Sequence, residues 1–494
     1  MNEIALRKLQ SLYKHIESES LIDDITFSDL NLNEVFEMIN ETESSIGEEI
    51  LYAHLRRPYL DENKLSEFEK KISSYENDEK LFTETKKSFR KLSKLSKYSV
   101  FEYLFAIADI EKVNKFTLFI PMILIAVALL IMPFSAVFGI LFLTGAFFYN
   151  VIAYFKKIDS VKPYLICLSY IFKTADVLGT VPGIDSKKVR DLKKLKTGSF
   201  WLGSLNGVTV NGGNGNPLDI FIDILKLGLH IDLIVFYSIV DKITEHTDEI
   251  FEFLMEAGEL DVACGIASFR KKNDKLYCIP VHDRDSELKI VDFTHPLVEN
   301  CVPNSVSANK NILLTGSNAS GKSTFLRAVA INIILSQAIH TVFASSYEAP
   351  IFTVISSMSL KDDVLSGESF YMAEIKAIKR IIDLCSQNND RPVCAFTDEV
   401  LRGTNTKERI AASSGILSYI GKRALSFTAT HDIELTKILR SEYDNFHFSE
   451  DIVDQNIHFS YILKPGSADT SNAIRLLEEN GFPEEITKKA LSSV

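Results

Sequence analysis

The sequence predicts an α/β domain at the C-terminus, preceded by an all-α region that a transmembrane helical hairpin interrupts. Three observations predict it. A complete G-x-x-x-x-G-K-[ST] run, residues 316–324, lies between an apolar strand-like run and an apolar helix-like run. Residues 116–154 pass 39 positions without Asp, Glu, Lys or Arg. Most of the remaining first 265 residues are charged stretches with helical apolar spacing.

The 494 residues carry a net charge of −12 and a pI of about 5.5. That length allows roughly two to four domains. The charge excludes a globally basic nucleic-acid coat, so any such contact needs a local patch. Cys167, Cys264, Cys278, Cys301, Cys385 and Cys394 are scattered without a CxxC pair. They predict reduced thiols in a cytosolic compartment, with neither a zinc site nor a disulfide framework. The opening MNEIALRKLQ lacks an apolar h-region, so no cleavable signal peptide is expected.

In chain order, residues 1–115 read as a first helical part, amphipathic at 4–19, 32–41, 46–55 and 67–98. Residues 116–155 read as the hairpin. A span needs roughly 20 apolar residues, so the charge-free run suits two short arms. They join at Met132, Pro133, Phe134 and Ser135, where proline suits a helix break. Lys112 and Lys115 before it, with Lys156 and Lys157 after it, put both termini on the cytoplasmic side by the positive-inside rule. The expected localisation is integral membrane, as two short spans or a re-entrant hairpin, because each arm is near the lower length limit. A hairpin buried in a soluble core would keep a polar stripe.

Residues 156–265 read as the second helical part, broken at 203–217 where Gly and Asn dominate. The block 218–258 is apolar, but Asp219, Asp223, Lys226 and Asp232 argue against a span. Two basic clusters, Lys86, Lys87, Arg90, Lys91, Lys94, Lys97 and Lys187, Lys188, Arg190, Lys193, Lys194, Lys196, read as solvated helix faces. The functional alternatives are sites for anionic headgroups or a phosphodiester backbone.

Residues 266–494 read as the α/β domain. Here 311–315 (NILLT) is a buried strand and 325–340 a helix. Between them, Gly316, Ser317, Asn318, Ala319, Ser320, Gly321, Lys322, Ser323 and Thr324 form a loop whose N–H groups cradle phosphates with the helix N-terminus. Lys322 reaches the β- and γ-phosphates and the Ser323 hydroxyl sits on Mg²⁺. The run 393–399 (VCAFTDE) is a strand ending in two acids. Asp398 is placed to hold Mg²⁺ through water, and Glu399 to orient and deprotonate the attacking water. The run 424–431 (ALSFTATH) is another buried strand, ending in His431 as a γ-phosphate sensor.

These residues resemble the MutS group of ATPases, within the ABC/SMC-type superfamily. INETESSIG (39–47) with LRRP (55–58) is similar to the start of that family's helical lever region. FTHPLVE (293–299) with Val302, Pro303 and Asn304 resembles the segment leading into its nucleotide domain. DDVLSGESFYMAE (362–374) resembles its signature region. Asp398 and Glu399 with Arg402, Gly403 and Thr404 follow, then Ala429, Thr430 and His431 with Glu434 and Leu435. Tyr461 through LKPG (463–466) to GFPEEI (481–486) closes the match.

The resemblance implies an ABC-type, Mg²⁺-dependent ATPase domain that hydrolyses ATP to ADP and phosphate, preceded by a lever. It implies a homodimer, at least transiently, in which Ser369 of one chain completes the site of the other. Tyr461 is implied on one face of the adenine, with Cys301 about where a stacking aromatic is expected. Leu401 stands where the family has a glycine. A lever beginning within the first forty residues leaves no room for mismatch-reading and connector domains. The hairpin takes the place of the long helices and DNA clamp. The resulting expectation is a short, membrane-anchored form with membrane lipids as partners and DNA, branched or damaged, left open. The alternative is a membrane mechanoATPase or tether acting on a protein or lipid without nucleic acid.

Overall fold

The computed structural model describes residues 3–16, 21–110, 113–179, 181–196, 224–225, 227–273, 275–317, 320–358, 370–387, 391–453, 456–467 and 482–491. Lys112, Asn318, Ala319, Ser369, the stretch 203–217, Asp219, Asp223 and Lys226 lie outside the described residues. The chain divides into two compact units. Met1–Ile16, Asn40–Ala53 and Lys71–Lys271 form the first; Glu17–Ile39, His54–Lys70 and Lys272–Val494 form the second.

The first unit is built from helices, and the amphipathic spacing explains which face each buries. On Glu79–Leu92, Thr85, Phe89 and Leu92 turn inward. Asp78 caps that helix by accepting from the N–H groups of Lys80 and Leu81. At its centre, Asp261 on Thr247–Lys272 accepts from Glu43 N (3.2 Å), Ser44 N (2.9 Å) and Ser44 Oγ (2.5 Å). It thereby satisfies the orphan donors that begin the helix Ser45–Arg56. A Cβ at Gly47 would fall 2.2 Å from Asp261 Oδ2, so only glycine fits there. Burial pushes the Asp261 carboxyl up to about 6. Nearby Glu49 accepts from Ser99 Oγ and from Val100 N (3.0 Å), and burial pushes it up to about 8.

The hairpin consists of a short turn Lys115–Leu118, the helix Ile120–Ile131, a turn at 132–135, and the helix Ala136–Leu178. Pro121 starts the first arm, where its missing N–H costs nothing. The turn falls where Pro133 predicts it. The second arm, however, does not end with the apolar run: it continues unbroken for 43 residues through Pro163. A change from apolar to charged side chains at Lys156 alters solvation but leaves backbone propensity intact, so composition marks no helix end there. Ala136–Leu178 is long and apolar enough to cross a membrane; Ile120–Ile131 is shorter than that.

The second unit holds two sheets. The smaller has order β1-β5-β2-β3: Val281–His282, Ser346–Ala349, Leu288–Phe293 and Asn304–Ala308. The larger has order β10-β9-β4-β8-β7-β6. In it β4 is Asn311–Thr315, β6 Thr353–Ser357, β7 Val393–Asp398, β8 Leu425–Ala429, β9 Tyr443–Val453 and β10 Asn456–Pro465. All its pairings are parallel except β9 with β10. The central strands β4, β7 and β8 are almost wholly buried, as strands covered on both faces must be. Lys322–Ala338 and Phe370–Ser386 pack on the sheet, with Thr406–Gly421 contributing Leu417 and Ile420 to the core.

The α/β unit also recruits residues far upstream of position 266. Asp29 accepts from Ser356 Oγ and Met358 N, both at 2.8 Å. Thr26 Oγ1 accepts from Ser356 N at 3.0 Å, and Arg327 Nε donates to the Asp29 carbonyl at 2.8 Å. These partners are over 290 positions apart, and no local pattern in the sequence announces them.

Candidate active site

A parallel sheet brings the C-terminal ends of its strands to one edge, and loops leaving that edge build the site. Register fixes this one: Leu314 pairs with Ala429, and Ala429 with Asp398. The phosphate loop after β4, the acids at the end of β7 and His431 after β8 therefore converge. Gly316 and Gly321 have φ of 136° and 101°, values that exclude a side chain without strain. A Cβ on Gly316 would also lie 3.0 Å from Ser320 Oγ.

Lys322 is buried, and its Nζ donates to the Gly316 and Ser317 carbonyls, both at 2.7 Å. The ammonium thus stands over the loop it would share with a phosphate. Ser323 Oγ donates to Asp398 Oδ2 at 2.5 Å. A hydroxyl and a carboxylate at the floor of a phosphate loop are the hard oxygen donors that Mg²⁺ prefers, with water and phosphate completing its shell. No cluster of three His, Cys, Asp or Glu side chains among the described residues offers an all-protein metal cage.

Glu399 follows with its N–H on the Ala429 carbonyl (2.9 Å) and φ of 55°. Its Oε1 meets His431 Nε2 at 2.7 Å, and its Oε2 meets Arg402 Nε at 3.0 Å. The His431 hydrogen bond, then Arg402, His431 and Lys322 by charge, hold the carboxyl below the usual glutamate range despite partial burial. Arg402 is itself positioned by buried Glu374, which accepts from Arg402 N at 2.8 Å. Arg409 grips Asp432, next to His431, through two hydrogen bonds of 2.9 and 2.6 Å. Arg402 and Glu374 are the site members that residue-level reading assigned no role. A basic residue three positions after the acidic strand end was the available signal.

Beside Gly321 and Thr324 opens a cleft of about 450 Å³, lined also by Phe293, His295, Cys301, Asn304 and Tyr461. Tyr461 sits where β10 shifts register against β9, with φ of 54°. Asn304 pins it, donating from Nδ2 to the Tyr461 carbonyl (2.9 Å) and accepting from Leu463 N (2.8 Å). Such bulges re-aim a side chain, and here the ring comes over Gly321. Burial lowers His295 to about 4, so it faces the cleft as a neutral ring. The structure brings together Gly316, Ser317, Ser320, Gly321, Lys322, Ser323, Thr324, Asp398, Glu399, His431 and Tyr461. Asn318, Ala319 and Ser369 fall outside the described residues.

Comparison with known proteins bears on this same region. Residues 312–494 match the family model of MutS domain V. Over 267 residues the chain is 32% identical to the DNA mismatch repair protein MutS of Natronomonas pharaonis, covering 52% of this chain and 30% of the relative. The DNA mismatch repair protein MutS of Lactobacillus acidophilus is 30% identical over 273 residues, 51% of this chain and 31% of its own. That of Clostridium perfringens is 29% identical over 273 residues, 52% and 29%. The matched stretch thus spans about a third of the length of these relatives, over the C-terminal half of this chain. MutS domain V begins at β4 and takes in the phosphate loop, both strand-end acids, His431 and Tyr461. The helical first unit contains the hairpin, and most of it lies outside the matched half.

Proposed function

We propose that the chain is a membrane-anchored, MutS-like ATPase that hydrolyses ATP to ADP and phosphate and couples this to nucleotide-dependent dimerisation. The observation that carries the reading is the convergence of Lys322, Ser323, Asp398, Glu399 and His431 at one sheet edge, with separations of 2.5 Å for Ser323–Asp398 and 2.7 Å for Glu399–His431. The loop N–H groups and Lys322 bind the β- and γ-phosphates. Ser323 and Asp398 hold Mg²⁺, which supplies charge neutralisation on those oxygens. Glu399, ionised at neutral pH, orients a water and takes its proton as the water oxygen bonds to the γ-phosphorus and the bond to the β-phosphate oxygen breaks. His431 donates to the γ-phosphate, and Ser369 of a second copy completes the site. Tyr461 stacks on the base.

Homology to MutS domain V and the names of the relatives support a DNA-linked role; branched or damaged DNA is the partner proposed for it. A different observation favours the second reading, a mechanoATPase or tether acting on lipid or protein. Leu130, Phe134, Val137, Phe138 and Leu141, flanking the hairpin's turn, are all strongly exposed, apolar exposure of the kind that marks a membrane site. ATP turnover separates the two. Stimulation by duplex or branched DNA that collapses with added salt supports the first. Stimulation by anionic liposomes, lost on deletion of residues 116–154, supports the second. Turnover indifferent to both overturns both couplings.

A further inference from the structure

Between the hairpin's arms, buried polar groups appear before its charge-free run ends, although Ile152 and Phe155 remain exposed beyond them. Polar groups close its base well before Lys156. Asn150, fully buried on the long helix, donates from Nδ2 to the Pro121 carbonyl (3.1 Å) and the Gly228 carbonyl (2.8 Å). His230 Nε2 meets the Asn150 carbonyl at 2.7 Å. One turn further on, the Tyr154 hydroxyl donates to buried Asp232 Oδ2 at 3.2 Å. Lys156, Lys157, Asp159 and Lys162 then follow on the same helix.

Between this polar floor and the turn at 132–135, neither arm is long. At 1.5 Å per residue, 136–149 rises about 21 Å and 121–131 about 16 Å. A bilayer's hydrocarbon core is about 30 Å thick, so one leaflet offers about 15 Å, or roughly 20 Å with its headgroup zone. Each arm matches one leaflet and falls short of two. The tip agrees: Met132, Pro133 and Phe134 form it, and Phe134 is 91% exposed. A turn emerging into water on a far side would present polar side chains instead. Between the arms an open groove of about 780 Å³, lined by Leu124, Ile131, Phe138, Leu141 and Gly145, has the apolar lining that acyl chains fill.

The geometry points to a hairpin that dips into a single leaflet, its turn among acyl chains near the midplane and the Asn150–His230 pair at headgroup level. This rests on the membrane attachment proposed above and names its depth. Lys156 and Lys157, about 9–10 Å further along the helix, then lie nearest the surface, where anionic headgroups meet them.

The test uses the full chain in sealed vesicles of phosphatidylcholine and phosphatidylglycerol. It compares Ser135→Cys and Phe134→Cys with the parent chain as background for native thiols, using a membrane-impermeant maleimide. Ser135 makes no capping hydrogen bond, so its replacement is mild. The expected result is loss of labelling at both positions, whether reagent is outside or trapped inside, with labelling restored by detergent. Labelling from the face opposite the nucleotide domain means a full span and overturns the one-leaflet depth alone. Chain left in the supernatant, with both cysteines reactive, overturns membrane attachment itself. A spin label on the F134C chain gives a second readout. Relaxation by oxygen and not by an aqueous nickel complex is expected; the reverse overturns the proposal.

Discussion

Leu401 and Glu399 occupy left-handed backbone, φ 61° and 55°, immediately beside the reacting centre. For a non-glycine residue that region costs about 1–2 kcal/mol. Leu401 offsets the cost by burial, worth roughly 1.5–3 kcal/mol for a leucine. Replacing it by glycine should therefore nearly cancel, shifting the urea midpoint little. Valine, smaller and β-branched, should lower the midpoint clearly. The loop thus keeps the geometry a glycine would permit, which answers how a leucine stands at that position. At Arg402 the expectation concerns pH. The carboxyl of Glu399 is held low chiefly by His431 and then by Arg402, so the base form persists to below the usual glutamate range and activity falls only under it. Arg402→Gln should move the acidic limb of the turnover profile to higher pH. An unmoved limb would show that the ion pair is absent in the working state.

At the scale of elements, three buried acids organise junctions and make two separate predictions. Asp29→Ala strips acceptors from Ser356 Oγ and Met358 N, leaving buried donors unpaired at about 1–3 kcal/mol; denaturant unfolding measures it. Glu49 and Asp261 have folded pKa values raised to about 8 and about 6. Raised carboxyls stabilise fully below their unfolded values and lose that stability as pH climbs through the folded ones. The first unit should weaken from mildly acidic toward alkaline pH, and Glu49→Gln should flatten the upper part of that decline. A decline of equal slope in E49Q would sink the assignment. The helices and three strands of the larger sheet were legible in the sequence; the smaller sheet and β6, β9 and β10 drew no expectation. Pro133 marks the hairpin turn, and the apolar runs ending at Thr315, Asp398 and Ala429 mark the three central strands. Fixed local chemistry carries those signals. What was not legible is long-range: Asp29 docking on β6, Glu374 reaching Arg402, and the helix running through Lys156, where polarity changes and propensity does not.

For the whole molecule, the basic clusters are partly paired with acids. Arg90 pairs with Glu43 at 2.8 Å and Lys94 with Glu48 at 3.1 Å. Lys188 pairs with Glu256 at 3.1 Å and Lys194 with Asp191 at 2.7 Å. Acids pair with part of each run, from neighbouring elements for Arg90, Lys94 and Lys188 and from the same helix for Lys194, consistent with solvated faces. Under the proposed function, the molecule is an ATPase whose nucleotide cycle drives dimerisation and whose hairpin meets lipid. That account depends on hydrolysis at the Glu399 centre. Steady-state ATP turnover of Glu399→Gln beside the parent chain, with bound nucleotide and mass by light scattering followed together, tests it most directly. The account predicts a loss of about 10²–10⁴-fold in turnover, the range a general base supplies, with ATP retained and the dimer accumulating. Parental turnover in the variant would contradict it.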